Sequence, residues 1–302
     1  MSSRLPSLLL VPLLLSVGCA HLNAPPQPAR YTGPVVDLHT HVHFGEGYGQ
    51  TDASHPAGTQ ALLGLAAQAH VEKSGIIVMA PRGNLPATRA LNDKVIAAAR
   101  AGNGRLFAIA SVHPDDGVEA LTEMERLRAQ DVRILKLHPN TQRFDVGSPA
   151  VDAVVQKAGE LGLVLLFDGY SPFDAGQPGK FTLLALKHPK ARIVLAHMGG
   201  PGFHDLALFG ILRQFPYYQR NLWFDLSATA HFFVDSPYEE QLVWIARKIG
   251  TDRILFGSDW PVDTPAHAVE DCQRLGFTEA EQREIFHTNA LRLLGMEPEP
   301  AR

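Results

Sequence analysis

The chain has 302 residues, of which 45% are hydrophobic and 19% charged, a balance typical of a globular protein with a sizeable core, so a disordered or collagen-like chain is excluded. The formal net charge is −4 and no dense Lys/Arg cluster occurs, which argues against nucleic acid as a partner. Two cysteines are too few for a disulfide framework. The 14 histidines are the unusual feature, and their positions carry most of the functional signal.

The first 18 residues predict a secretory signal peptide. Arg4 precedes an apolar run over residues 8–17, which is too short to cross about 30 Å of hydrocarbon. The residues before Cys19 resemble a bacterial lipoprotein signal, in which this cysteine is lipidated; an ordinary cleaved signal is the alternative. Residues 19–34 are Pro-rich and predict a tether. We therefore expect an exported protein of the cell envelope, attached through lipid to the outer membrane and facing the periplasm or the surface.

From residue 35 to residue 302, apolar runs alternate with helix-like segments in what we interpret as one domain. The helix-like segments, such as 87–102, 117–130 and 236–250, have apolar residues at three- and four-residue steps. The apolar runs predict buried parallel strands, and eight of them favour an α/β fold of the (β/α)8 TIM-barrel type. An open doubly wound sheet is the alternative, but the Gly-rich phosphate loop typical of its first strand is missing. The eight runs are 34–43, 75–81, 105–114, 132–139, 163–169, 192–200, 222–229 and 253–261.

The first predicted strand ends in a pair of histidines, His39 and His41. Together with Asp37 they have the same parity, so all three are predicted to face one side of the strand. Their neighbours Val36, Leu38 and Thr40 are then predicted to face the helices. Two imidazoles spaced i, i+2 at a strand end can bind one metal ion, because their side chains emerge parallel and close together.

Two further polar residues end predicted strands. His197 follows strand six and Asp259 follows strand eight, and functional groups of a (β/α)8 barrel gather at these carboxyl ends. Asp259 can ligate a metal and accept a proton from metal-activated water. His197 can act as a ligand or as a general base. Alone, each has a structural explanation, as a loop anchor or a turn cap.

The chain resembles the amidohydrolase superfamily, and within it the amidohydrolase-related branch that contains aminocarboxymuconate-semialdehyde decarboxylase, other aromatic-acid decarboxylases, and lactone or amide hydrolases. The resemblance covers essentially everything after residue 34. It implies that His39, His41 and Asp259 are ligands of Zn or a similar divalent ion such as Mn or Fe, and that His197 is the sixth-strand ligand or base. The residues that carry it are DLHTH (37–41), LKLHP (135–139), IVLAHMGG (193–200), ILFGSDWP (254–261) and NALRLLG (289–295).

The chain departs from that family at strand five, where a metal-binding His is usual and Phe167 stands instead. Asp168 can coordinate a metal, but it has the wrong parity unless a bulge turns it inward. Lys136 and His138 share a face at the end of strand four and are alternatives. We interpret Lys136 as a cation for a substrate carboxylate, or for Asp37 or Asp259, rather than as a carboxylated metal bridge. His138 is interpreted as a substrate-binding residue.

Two more residues are weaker candidates for substrate binding. Arg82 follows strand two and His231 follows strand seven, and at both positions a loop anchor is the plainer interpretation. Cys272 lies in a helix-like segment and is expected to be packed rather than reactive.

The leading hypothesis is a metal-dependent hydrolase that acts on a small carboxylate, lactone, ester or amide, with Asp259 and His197 as catalytic residues. The first alternative is a metal-assisted, non-oxidative decarboxylase on the same barrel. The second is a non-catalytic barrel with a degraded metal site, which Phe167 motivates. The expected partner is a small-molecule substrate, and a homo-oligomer is possible.

Overall fold

The computed structural model describes residues 30–44 and 58–296. The predicted signal peptide, Cys19 and most of the predicted tether lie outside the described residues, so lipid attachment at Cys19 stays a prediction. Among the residues that are described, no helix is long and apolar enough to cross a membrane.

Eight parallel strands form one sheet in the order of the sequence, which confirms the predicted (β/α)8 barrel. The last strand is short, and backbone hydrogen bonds close the barrel between the segment after it and the first strand. His41 N donates to Trp260 O over 2.6 Å, and Asp259 N donates to His39 O over 2.8 Å. The strands are β1 (Val35–His41), β2 (Val71–Ile77), β3 (Leu106–Ser111), β4 (Ile134–Leu137), β5 (Val164–Asp168), β6 (Arg192–Ala196), β7 (Leu222–Asp225) and β8 (Ile254–Leu255).

Helices follow the strands, and several begin at side chains that cap them. Asn84 Oδ1 accepts from Ala87 N over 3.1 Å, and Ser148 Oγ accepts from Val151 N over 3.3 Å, which satisfies amides that have no partner inside the helix. The helices are α1 (Thr59–Gln68), α2 (Leu85–Ala101), α3 (Val118–Ala129), α4 (Pro139–Gln142), α5 (Pro149–Leu161), α6 (Gln177–Lys187), α7 (Ala207–Leu212), α8 (Thr229–Phe233), α9 (Glu239–Ile249), α10 (Pro265–Arg274), α11 (Glu279–Arg283) and α12 (Asn289–Leu294). The segments 114–116, 197–206 and 251–253 form 3-10 turns, and Glu284–Thr288 is a π-helical turn between α11 and α12.

The strands bury two separate apolar layers. The outer layer packs the strands against the surrounding helices. The inner layer fills the barrel and includes residues of α12, such as Leu291 and Leu294, so this last helix packs against the barrel interior. Alternation within a strand assigns each side chain to a layer: Val164 and Leu166 lie in the inner layer, and Leu165 lies in the outer one.

The first strand does not keep the predicted alternation. Val36 and Leu38 lie in the inner layer, so the prediction that they face the helices is wrong. The pairing of β1 with β2 shifts register between Asp37 and Thr40, an irregularity of the β-bulge type. Because of this shift, the side chain of His39 reaches the barrel mouth although the preceding residue, Leu38, faces the barrel interior.

Phe167 also faces away from the barrel interior. Its side chain is fully buried in the outer layer, where it meets Phe181 of α6 edge-on with ring centroids 5.2 Å apart. The prediction that Asp168 has the wrong parity to face the site is therefore wrong, and Asp168 rather than Phe167 is the residue of β5 that faces the site. No bulge is needed, because Asp168 has the same parity as the inward Val164 and Leu166.

This packing predicts the effect of truncating Phe167. Phe167→Ala should lower the free energy of unfolding by about 3–5 kcal/mol, because it leaves a cavity in the layer between β5 and α6. Phe173→Ala is the matched control, since that ring is 89% exposed, and it should change stability by less than about 0.5 kcal/mol. Denaturant titration gives both values. Equal, small effects would contradict the assignment of Phe167 to the outer layer.

Candidate metal centre and active site

Two imidazoles and one carboxylate converge at the mouth of the barrel. His39 Nε2 lies 3.2 Å from His41 Nε2. Asp259 Oδ1 lies 3.4 Å from His39 Nε2 and 3.3 Å from His41 Nε2. The structure therefore brings together three of the four residues for which the sequence predicted metal ligation, the fourth being His197.

This donor set fits a divalent metal ion. Ligands about 2.0–2.1 Å from a tetrahedral zinc ion are about 3.3–3.4 Å apart, and the three contacts of the cluster span 3.2–3.4 Å. Imidazole nitrogen with carboxylate oxygen suits Zn, Mn and Fe alike, so the donors indicate a divalent ion without selecting one. Asp259 reaches the cluster from a left-handed backbone conformation, with φ of 59°, which Asp tolerates better than most residues.

The ring of His39 is held by Asp225, a residue that the sequence analysis missed. His39 Nδ1 lies 3.1 Å from Asp225 Oδ2 and, because a carboxylate only accepts, Nδ1 carries the proton. Burial, followed by the charge of Lys136, lowers the pKa of His39 to about 4, so the ring is neutral and its Nε2 lone pair is available to a metal. Burial opposes ionisation of Asp225, but His39 outweighs it and lowers the pKa of Asp225 to about 2. Carboxylates commonly support metal-binding histidines in this way.

The turn after β6 places His197 beside this cluster. His197 and Met198 have positive φ values of 60° and 43°, and two glycines with positive φ follow them, so the sequence HMGG makes a tight reversal. His197 N donates to Asp225 Oδ1 over 3.0 Å, and the Thr229 hydroxyl donates to the His197 carbonyl. These contacts fix the backbone from which the imidazole projects.

A second imidazole–carboxylate group adjoins the first. Asp168 Oδ2 lies 3.4 Å from His197 Nε2 and 3.3 Å from His138 Nε2. Burial opposes protonation of His197, but Asp168 and Asp259 outweigh it and raise the pKa to about 9. Burial lowers the pKa of His138 to about 4. At neutral pH, His197 is therefore a partly buried cation and His138 is neutral.

Lys136 is buried within the site, where its amine contacts a metal-binding atom. Its Nζ lies 3.0 Å from His39 Nε2, and the residue is 1% exposed. Burial lowers the pKa of the amine, against the attraction of Asp168 and Asp259. The inward parity of Lys136 beside Ile134 places its amine in the pocket, and its role as a cation for a substrate carboxylate stays a prediction.

Two predicted substrate-binding residues are directed to other partners. Arg82 is 64% exposed and lies 3.2 Å from the Asp115 carboxylate. The ring of His231 is half exposed and pairs with Asp271 of α10, Nδ1 to Oδ2, at 2.9 Å. Cys272 is packed as expected, because it is buried and burial raises the pKa of its thiol.

Removing the paired histidines should remove a metal ion. We expect the variant His39→Ala with His41→Ala to bind one equivalent of Mn²⁺ per chain less than the parent, since two of the three converging donors are lost. His188→Ala is the control, because that ring pairs with Asp152 in the helix layer. Elemental analysis after equilibrium dialysis gives the stoichiometry. If the double variant keeps the full complement, the ligand assignment is wrong.

The carboxylate behind His39 should set the strength of metal binding. Asp225→Asn is expected to weaken binding at the His39 centre by about 10–100-fold, because the ring loses the charge that orients it. Asp252→Asn is the control, since Asp252 forms an ion pair with Arg220 at 2.6 Å in the outer part of the barrel. Chelator competition measures both affinities. Unchanged affinity in Asp225→Asn would show that Asp225 does not support the ligand.

Comparisons with known proteins agree with this geometry. Curated relatives include gamma-resorcylate decarboxylases of Rhodococcus jostii (strain RHA1), 28% identical over 126 residues, and of Rhizobium sp. (strain MTP-10005), 29% identical over 119 residues. Each match covers 37% of this chain, and the chain spans only 36% of the length of each relative.

Solved structures share the fold over nearly the whole barrel. The complex of 2,6-dihydroxybenzoate decarboxylase with 2,6-dihydroxybenzoate has a TM-score of 0.70 at 18% identity, covering 87% of this chain and 100% of that chain. A dihydroxybenzoic acid decarboxylase from Polaromonas sp. JS666, with bound manganese and the inhibitor 2-nitroresorcinol, has a TM-score of 0.68 at 16% identity, covering 87% and 97%. A probable 2-pyrone-4,6-dicarboxylic acid hydrolase from Acinetobacter baumannii has a TM-score of 0.61 at 17% identity, covering 86% and 99%.

The amidohydrolase family model matches residues 36–296, which include every side chain of the site. With its eight-stranded barrel and its converging His, His and Asp donors, the chain belongs to the amidohydrolase family.

Proposed function

We propose that the chain is a metal-assisted, non-oxidative decarboxylase of a small carboxylate, with hydroxybenzoates as the substrate class. The observation that carries the proposal is the buried amine of Lys136, 3.0 Å from the metal-binding nitrogen of His39. A cation at this position pairs with a substrate carboxylate, whereas a neutral ester or lactone does not require one. The decarboxylase relatives support the same reading, which reverses our order of hypotheses from the sequence alone.

The resident residues can bind the substrate anion. His39, His41 and Asp259 would hold the metal, and a divalent ion, when bound, supplies positive charge for carboxylate and phenolate oxygens. The negative charge of a bound substrate carboxylate would favour the ammonium form of Lys136, whereas burial alone favours the neutral amine. His138 lies at the same strand end, where the one proton of its neutral ring is directed from Nε2 to Asp168, so it would position that carboxylate beside the substrate.

Decarboxylation also needs a proton donor. Cleavage of the bond between the ring and the carboxylate releases CO2 and leaves the electron pair on the ring carbon, which must then take a proton. With a pKa of about 9, His197 is protonated at neutral pH, and its side chain is 18% exposed, so solvent can restore the proton. We assign this step to His197, because the pKa of Asp259 is held well below its usual range by His39 and His41 despite burial, which leaves no proton on that carboxylate.

A hydrolase remains the second candidate. The ionised Asp259 beside the two histidines has the charge state of a base that takes a proton from water. Analysis of products separates the two functions, because only decarboxylation releases CO2. A non-catalytic barrel is disfavoured, since the His, His and Asp donors and His197 are all in place.

The test is an assay with Mn²⁺ and 2,6-dihydroxybenzoate, in which released CO2 and 1,3-dihydroxybenzene are measured beside a panel of lactones and esters. We expect CO2 release, and Lys136→Met should lower kcat/KM by about 30-fold or more, because a buried charge partner of the substrate is removed. Lys190→Met, at an exposed position, is the matched control and should leave the rate unchanged. Hydrolysis of a lactone or ester without CO2 release from any carboxylate would overturn the proposal.

A further inference from the structure

A second group of metal-binding side chains lies between the helices that follow β7 and β8. One donor atom from each of four residues lies within 4.8 Å of those of the other three. We propose that these residues, which we call the α8–α10 cluster, form a second divalent-metal site that joins the two helices. The cluster is His231, Asp263, His267 and Asp271.

The contacts within the cluster are centred on one buried carboxylate. Asp271 Oδ2 lies 2.9 Å from His231 Nδ1 and 3.6 Å from His267 Nε2, so both rings approach the same oxygen atom. Asp263 Oδ1 lies 2.8 Å from His267 Nδ1. Four ligands around a tetrahedral zinc ion are about 3.3–3.4 Å apart, so small movements of these side chains would suffice to surround an ion.

The fold explains why these residues meet. His267 and Asp271 are spaced i, i+4 on one face of α10, and Asp263 immediately precedes Thr264, the N-cap residue of that helix. His231 reaches that face from α8, and its ring packs at right angles to that of His267 with centroids 4.9 Å apart. Two donors on α10, a third just before its N-terminus and a fourth on α8 would allow one metal ion to link the two segments.

The carboxylates of the cluster are buried more deeply than its imidazoles, and this arrangement suits a metal ion. The side chain of Asp271 is 3% exposed and that of Asp263 is 17% exposed, whereas both imidazoles are about half exposed. An ion can therefore enter from solvent past the rings and meet the carboxylates behind them. Two imidazoles and two carboxylates make a neutral complex with a divalent ion, and this donor set suits Zn²⁺.

An ion in this cluster would link the loops that follow β7 and β8, two strands whose ends contribute to the active site. His231 lies four residues after Ser227, whose hydroxyl is 3.0 Å from His197 Nδ1, and Asp263 lies four residues after Asp259. An ion in the α8–α10 cluster would hold these two loops in a fixed relation without contacting the His39 centre, because the two centres share no residue.

The experiment titrates the metal-free chain with Zn²⁺ by calorimetry. We expect two equivalents in the parent, and one in the variant His39→Ala with His41→Ala. Adding His267→Ala and Asp263→Asn to that background should abolish the remaining binding or weaken it at least about 100-fold. In the parent chain, His267→Ala alone should lower the stoichiometry from two to one, which does not depend on how the double variant folds.

The control is His204→Ala, since that ring is exposed and contacts Gln241 rather than a carboxylate. It should bind Zn²⁺ as the parent does. Two results would overturn the proposal: a single equivalent in the parent that disappears with His39 and His41, or a second equivalent that is unaffected by His267→Ala. Either result would leave the cluster as a set of imidazole–carboxylate ion pairs.

Discussion

The hydrogen bond between His39 and Asp225 is the interaction on which the rest of the site depends. A carboxylate that is fully buried must be satisfied by donors, and Asp225 receives His39 Nδ1, the Ser227 hydroxyl, and the amides of Ser227 and His197. These donors come from β1, from the turn after β6 and from the segment after β7. One carboxylate therefore links the ends of β1, β6 and β7 by hydrogen bonds and orients His39 Nε2 toward His41 and Asp259.

Charge is the second constraint on this pocket. Asp168, Asp225 and Asp259 are held ionised, His197 is protonated, and His39 and His138 stay neutral. Burial of three carboxylates against one imidazolium leaves excess negative charge in a region of low dielectric constant. A divalent ion at His39, His41 and Asp259 would offset that excess, and the ammonium form of Lys136 would offset the charge of a carboxylate substrate. Burial lowers the pKa of His39 and His138, whereas the nearby carboxylates raise the pKa of His197 against burial.

The sequence predicted the barrel and most of the donors, but not which way two strands face. Apolar runs located all eight strands, because buried parallel strands are continuously apolar, although β2 overlaps its predicted run only at residues 75–77. The predicted facing failed at β1, where Val36 and Leu38 lie inside the barrel, and at β5, where Asp168 was predicted to have the wrong parity but faces the site. No local pattern distinguishes the two faces of a strand that is buried on both sides. Asp225 was missed for a related reason, since a carboxylate at a strand end also suits a loop cap.

The inward position of Asp168 changes what the missing histidine means for chemistry. A histidine at the end of β5 would add a neutral ligand, whereas Asp168 adds a negative charge that is shared between His138 and His197. That charge keeps His197 protonated. Asp168, which stands where a neutral histidine ligand would face the site, therefore makes His197 after β6 a proton donor. A protonated imidazole has no use as a base toward water, but it can deliver a proton to a carbanion. On this argument the exchange at β5 favours decarboxylation over hydrolysis, even though the donors for the metal are the same in both.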